Sequence, residues 1–345
     1  MQKFNKHTVA KNETLKSIAS RYDLSVGELK LFHNNHCNVK DMILIGLTDQ
    51  KELFIPRTAV ADKAKRVEFS HGNRLAFKPQ NLFLRYGVTI TLEKGDHINE
   101  LKYENSVKWL KTENRLHFFE IDRISDLFIN EEQVNEMADL LAYKTSKVLY
   151  PLQISTDENG KFNAVENLSE YAKRWNNVKD EVYKEYEGEI VDEYCLKIER
   201  ILDEPELLTG LMKNDYFLRT VFFGIYKSFG KDFKTINQES FPVIQNPKEP
   251  NYEITFEIDP IKDEHDLVNI TGNGKLHDER SVYDFISGTP FSFIIEDHPV
   301  MNDKGDFRIK FYLNGKTYFP ESLYLECDIL LQEKKKIAVS ISVLD

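Results

Sequence analysis

Residues 7 to 56 read HTVAKNETLKSIASRYDLSVGELKLFHNNHCNVKDMILIGLTDQKELFIP, and this stretch decides the fold of the N-terminal part. It opens on a short extended run, His7-Thr8-Val9-Ala10, which meets a turn and a helix start at Asn12-Glu13-Thr14. Thr14 can accept a backbone N–H of the first helical turn, and the Glu13 carboxylate suits the positive end of the helix dipole. Leu15, Ile18, Ala19 and Tyr22 then fall on one face of a two-turn helix. Asp23-Leu24-Ser25 interrupts it, and Ser25 is placed to cap a second helix carrying Val26, Leu29, Leu31 and Phe32 and closing at Asn34-Asn35. Leu53-Phe54-Ile55 forms a second strand that stops at Pro56. The order is β-α-α-β.

Working outward, the chain has 345 residues, enough for two or three domains with real cores. Its 23 Phe and 16 Tyr exclude a disordered chain, and three scattered cysteines exclude a disulfide scaffold and fit a reducing compartment. The net charge of −11 argues against a general nucleic-acid binder, which needs a basic stripe. Residues 1–60 hold nine basic and six acidic residues, a net of +3, which leaves −14 for residues 61–345. The sequence holds no apolar run long enough to span a bilayer, and its first twenty residues lack the apolar stretch of a secretory signal. The expectation is a protein that is cytoplasmic as synthesised and is exported, if at all, by a non-Sec route.

Arg57 to Arg66 is polar and aperiodic, so the expected organisation is a first module over 1–58, a linker over 59–79 and a large domain over 80–345. Leu82, Leu84, Val88, Ile90 and Leu92 alternate up to a turn at Glu93-Lys94-Gly95-Asp96, and Leu116, Phe118 and Ile121 follow, as in an antiparallel meander. A strand pair is expected about Asn159-Gly160, with Leu152 and Ile154 before it and Phe162 after it. The period then changes. Leu168 to Tyr186, Val191 to Leu202, and Leu218 to Phe229 step by threes and fours, giving three amphipathic helices, the last ending at Gly230. From residue 241 alternation returns at Ile254-Phe256-Ile258, Phe291-Phe293-Ile295 and Phe307-Ile309-Phe311-Leu313. Asn314-Gly315 is the sharpest hairpin signal, and Leu323 to Cys327 with Ile337 to Val343 form a terminal hairpin. The expected fold class is α+β: strands over 80–164, a helical insertion over 165–232, and strands over 241–345.

The N-terminal stretch resembles the LysM domain, the glycan-binding module of bacterial wall enzymes and plant chitin receptors. The matching residues are His7-Thr8-Val9, Asn12 to Leu15, Ser17-Ile18-Ala19, Tyr22, Ser25-Val26, Glu28-Leu29, Asn34, Ile45-Gly46 and Leu53 to Pro56. Asn12 replaces the usual glycine of the first turn, and Leu47-Thr48-Asp49-Gln50-Lys51 lengthens the loop before the second strand. The resemblance implies a shallow groove for N-acetylglucosamine polymers, peptidoglycan or chitin. Its walls would be Asn12, Glu13, Thr14 and Leu15 on one side and Met42, Ile43, Leu44 and Ile45 on the other. LysM modules also occur in phage-tail-like contractile machines, which implies an alternative: a docking, assembly or effector-loading component of an injection apparatus, with a protein partner.

Elsewhere the constellations read as structure. His33, His36 and Cys37 have helical metal-ligand spacing, but no second ligand pair appears, so the expectation is the exposed end of the second helix. Cys195 and Cys327 fall on inward periods and read as core. Hydrolase, metalloprotease, P-loop and dinucleotide signatures are absent from the sequence, and acidic neighbours such as Asp192/Glu193 and Glu296/Asp297 are expected in any chain this acidic. The aromatic-rich segment 165–230 reads as buried against sheets, and Lys334-Lys335-Lys336 as a solvated turn. The sum is a non-enzymatic binding or adaptor protein, with no catalytic residue, metal or cofactor expected.

Overall fold

The computed structural model describes residues 4–11, 13–48, 50–56, 66–133, 137–293 and 304–344. The chain divides into two compact units, residues 1–66 and 67–345.

In the first unit β1 (Phe4–Thr8) pairs antiparallel with β2 (Glu52–Pro56), and α1 (Leu15–Arg21) and α2 (Val26–His36) lie between them in sequence. Both helix starts are closed by reciprocal side-chain bonds. Thr14 accepts from the Ser17 amide while Ser17 accepts from the Thr14 amide, and Ser25 and Glu28 do the same. Among the described residues, seven buried apolar side chains form its core: Leu15, Ile18, Ala19, Leu29, Ile43, Leu53 and Ile55. One expectation changes. Leu31, counted on the apolar face of α2, is 65% exposed, and the buried residue four positions after Leu29 is His33.

In the second unit β3 (Phe69–Ser70) and β4 (Arg74–Leu75) form a small ribbon. The meander β5 (Phe83–Lys94), β6 (His97–Glu113) and β7 (Leu116–Arg123) follows, with β8 (Phe128–Ile129) and β9 (Glu132–Gln133) attached to β6. Next come α3 (Met137–Ser146), β10 (Leu152–Thr156), β11 (Phe162–Val165), α4 (Tyr171–Glu185), α5 (Glu189–Asp203), α6 (Pro205–Met212) and α7 (Tyr216–Val221). The chain finishes with β12 (Lys234–Ser240), β13 (Asn251–Ile258), β14 (Leu267–Leu276), α8 (Val282–Ser287), β15 (Asp306–Asn314), β16 (Pro320–Leu330) and β17 (Lys334–Val343).

The two strand-rich regions share one antiparallel sheet in the order β11-β10-β7-β6-β5-β17-β16-β15-β14-β13-β12. The join is β17 on β5, where Ile341 faces Val88 and Val339 faces Ile90. Alternate side chains bury one face, as on β13, where Tyr252, Ile254, Phe256 and Ile258 point inward. The sheet curls until its ends meet. Lys161, beside β11, reaches Glu239 of β12 at 3.0 Å, and Lys227 holds the other oxygen of that carboxylate at 3.2 Å. The segment after α7 lines this closure: Phe222 packs on Phe119 of β7 at a ring separation of 5.0 Å, and Phe223 lies 5.9 Å from Phe256 of β13. A smaller cluster of Leu141, Val148, Trp175, Val182, Val191 and Cys195 holds α3 to α5 together.

Several expectations are corrected here. The helix expected over Leu218 to Phe229 ends at Val221, because the next backbone groups are spent on β11: the Phe162 amide donates to the Phe222 carbonyl, and Phe223 bridges Lys161. Phe222 and Phe223 are thus buried on a strap, not on two helix faces. The stretch 80–164, expected as strands, contains α3, and α8 precedes the later strands. Within the expected linker 59–79, Val67 and Leu75 are buried in the large unit's core, while residues 57–65 lie outside the described residues.

Phe291 and Phe293 stand outside any strand with rings 6.2 Å apart, and Ile295, Glu296 and Asp297 lie outside the described residues. Asn314-Gly315 does precede a hairpin, but not as a two-residue turn. The Asn314 side chain accepts from the amides of Lys316 and Thr317, the positive φ falls on Tyr318, and β16 starts only at Pro320. Gly315 is needed because a Cβ there would lie 2.1 Å from the Asp266 carbonyl oxygen. Lys334 to Lys336 belong to β17, where Lys336 pairs with Glu326 at 3.0 Å.

Candidate functional site

The two loops that the sequence singles out in the first unit are built by different means. The loop after β1 is organised around Glu13. One carboxylate oxygen accepts from the Ala10 amide at 2.9 Å and from the His7 ring at 2.9 Å, while Arg21 holds the other at 2.6 Å. The Ala10 amide first, and the His7 contact next, keep this carboxyl below the usual glutamate range. The far nitrogen of His7 meets the Tyr22 hydroxyl at 2.9 Å, so the loop is tied to the end of α1. Glu13 is therefore engaged in holding the loop, and the Thr14 hydroxyl is engaged in capping α1. Leu15 is buried in the core, and Asn12 lies outside the described residues.

The second loop hangs on Asn34. Its amide nitrogen donates to the Ile43 carbonyl at 2.9 Å and its oxygen accepts from the Ile43 amide at 2.8 Å, the double bond of a strand pair made by one side chain. Lys30 donates to the Leu44 carbonyl. Ile43 itself points into the core and is fully buried. Leu44 and Ile45 turn outward and are 76% and 97% exposed. Met42 is half-buried, and its carbonyl accepts from Gln50 at 3.4 Å. Leu47 packs on the core, and the Thr48 amide donates to Gln50, so these residues of the lengthened loop fold back on Met42 and leave Leu44 and Ile45 uncovered.

Of the eight expected contact residues, the structure thus presents Leu44 and Ile45 as free apolar surface. Ile43 and Leu15 serve packing, and Glu13 and Thr14 serve the loop's own backbone. Sequence reasoning missed Asn34 as the residue that positions the second loop, and it placed His33 wrongly. His33 is buried: its Nδ1 accepts from the Phe54 amide at 3.0 Å, and its Nε2 faces the Asp41 carbonyl at 3.0 Å. For His33 the signal was its place four residues after Leu29 on the same helix, and for Asn34 its place four residues after Lys30, which holds the same loop.

In the large unit, Cys195 and Cys327 are buried, and burial pushes both thiols above their ordinary range. Asp192 accepts from the Tyr183 hydroxyl at 2.8 Å, and Trp175 donates to Glu199 at 2.9 Å, both bonds within the helical cluster. Among the described residues no three His, Cys, Asp or Glu side chains gather as a metal site would require, and no helix is long and apolar enough to cross a membrane.

Residues 7–40 match the family model of the LysM domain, at the N-terminus of the chain. No curated protein shows significant similarity to the chain.

Proposed function

We propose that this chain is a non-enzymatic adaptor whose N-terminal LysM domain recognises a glycan containing N-acetylglucosamine, with Leu44 and Ile45 laid against the sugar. The LysM match supports glycan binding as the class of function. The observation that carries the finer reading is the exposure of Leu44 and Ile45 on a loop held rigid from behind by Asn34. Aliphatic side chains on such a loop cover a pyranose face or an acetyl methyl while nearby backbone groups bond its hydroxyls. Preorganisation matters, because a loop already fixed loses little entropy on binding. The large unit would then carry the second component that the adaptor joins to the glycan.

The test is sedimentation of the full chain with insoluble peptidoglycan and with chitin, beside a Leu44→Asp/Ile45→Asp variant. Sedimentation that the variant loses by tenfold or more supports the reading. No sedimentation above a control protein sinks it. The same apolar pair would then serve the second reading, protein docking in an injection apparatus, and the variant should lose co-purifying partners.

A further inference from the structure

The large unit has a cleft of about 530 Å³ between the end of β7, residues 124–126 and the last turn of α3. Arg123, the final residue of β7, lines it. Two rings lie close to its guanidinium, with Cζ 4.9 Å from the Tyr103 centroid and 4.8 Å from that of Tyr150. The N–H groups of a guanidinium point along the edge of its plane. Along that edge Arg123 donates to the Tyr150 hydroxyl at 3.0 Å and, more weakly, to Ser146 at 3.4 Å. The buried Nε has no acceptor among the described residues.

Its charge is also unpaired at close range. Arg85, Arg219 and Arg280 hold carboxylates at 3.1, 2.9 and 2.7 Å, whereas no carboxylate oxygen among the described residues lies within 4.0 Å of Arg123. Asp215 acts on it from farther away and spends its own oxygen capping α7, accepting from the Leu218 amide at 2.8 Å. A guanidinium drawn partly out of water with no carboxylate in bonding contact is costly, and a planar oxyanion meeting its edge relieves that cost with paired hydrogen bonds.

The rest of the cleft narrows the class of anion. Exposed Lys147 stands at the mouth over the Tyr143 ring, 4.8 Å from its centroid. Asp122 and Asp126 also line the cleft. Asp126 is engaged by the hydroxyl of Tyr143 at 2.8 Å and by Gln133 at 2.9 Å, but its charge remains. The two cations are balanced by the two carboxylates, so the lining carries no net charge: it offers no long-range attraction for a di- or triphosphate, and a single carboxylate is held by short-range bonds at Arg123. We propose that this cleft binds an organic carboxylate, seated edge-on against Arg123 with Lys147 at the entrance.

A small acid and the C-terminus of a peptide share this chemistry, so calorimetric titration of the full chain needs both. The probes are propionate, N-acetyl-alanyl-alanine, its C-terminal amide, and inorganic phosphate. The expected result is saturable binding of at least one carboxylate, with the amide silent and phosphate weaker. Propionate alone would identify a small acid, and the peptide acid alone a chain terminus. Arg123→Gln should weaken binding about tenfold or more. Arg123 also packs between two rings, so Lys147→Glu, at an exposed position, gives the second reading: affinity falls several-fold with the melting temperature unchanged. The proposal fails if neither carboxylate saturates, if the amide binds as well as the acid, if phosphate binds more tightly, or if Lys147→Glu leaves affinity unchanged. None of these outcomes depends on the glycan reading of the first unit.

Discussion

The two units reach stability by opposite routes. The first has a small apolar core and fastens its loops with polar side chains: Asn34 on Ile43, His33 between Asp41 and Phe54, and Glu13 on Ala10. The second relies on the register of a long antiparallel sheet, with a strap of Phe222, Phe223, Ile225, Tyr226 and Phe229 filling its concave face. A small domain buries a smaller fraction of its surface, so each side-chain-to-backbone bond is a larger share of its stability. A large sheet distributes its stability and is vulnerable instead where two backbones come close. The small unit should therefore break at polar clasps, and the large unit at points of tight clearance.

His33→Leu is the strongest test. It leaves the Phe54 amide and the Asp41 carbonyl without their partner, a loss of about 3 kcal/mol, enough to unfold a domain of this size. Both tryptophans, Trp109 and Trp175, lie in the large unit, so tryptophan fluorescence should show an unchanged transition. Hydrogen exchange at the amides of Ile43 and Phe54 should lose its protection. If the fluorescence transition moves as well, the units are not independent and the comparison fails.

Gly274→Ala is the counterpart in the sheet. A Cβ at this position of β14 would lie 2.5 Å from the Glu253 carbonyl oxygen of the neighbouring strand. The fluorescence-detected midpoint in denaturant should fall by the equivalent of about 2 kcal/mol, with protection at Ile43 and Phe54 retained.

A third test uses acid. A carboxyl held below its ordinary range adds stability above that range and loses it as pH falls through the folded value. Glu13 is such a group, so exchange protection in the first unit, corrected for intrinsic rate, should decline below about pH 4. Glu13→Gln should flatten that decline. A decline of the same slope in the variant would remove Glu13 as its source.

The smallest effect on stability is expected from Leu44→Asp/Ile45→Asp. Both side chains are exposed, so protection at Ile43 should change by less than about 0.5 kcal/mol even as glycan sedimentation is lost. Loss of protection comparable to that of His33→Leu would mean that the pair serves folding instead.

The primary structure by itself determined what neighbours along the chain can enforce. Thr14 and Ser25 mark both helix starts of the first unit because a cap and its target amide are three residues apart. Alternation marked β13 and the β16–β17 hairpin for the same reason, since the inward face repeats every second residue.

Contacts across long separations were decided only in three dimensions. The stretch 222–229 is apolar at helical spacing, yet the edge of β11 competes for its backbone and wins. Nothing local announces that β17 will lie on β5, or that Lys161 will meet Glu239. The same holds at the candidate site. The sequence located both loops, but which side chains face water depended on the Asn34 clasp, which turns Ile43 inward and leaves Leu44 and Ile45 outside. Periodicity reports which residues share a face. Whether that face meets solvent, a strand edge or a neighbouring loop is set by free energies of burial and backbone pairing that depend on the whole fold.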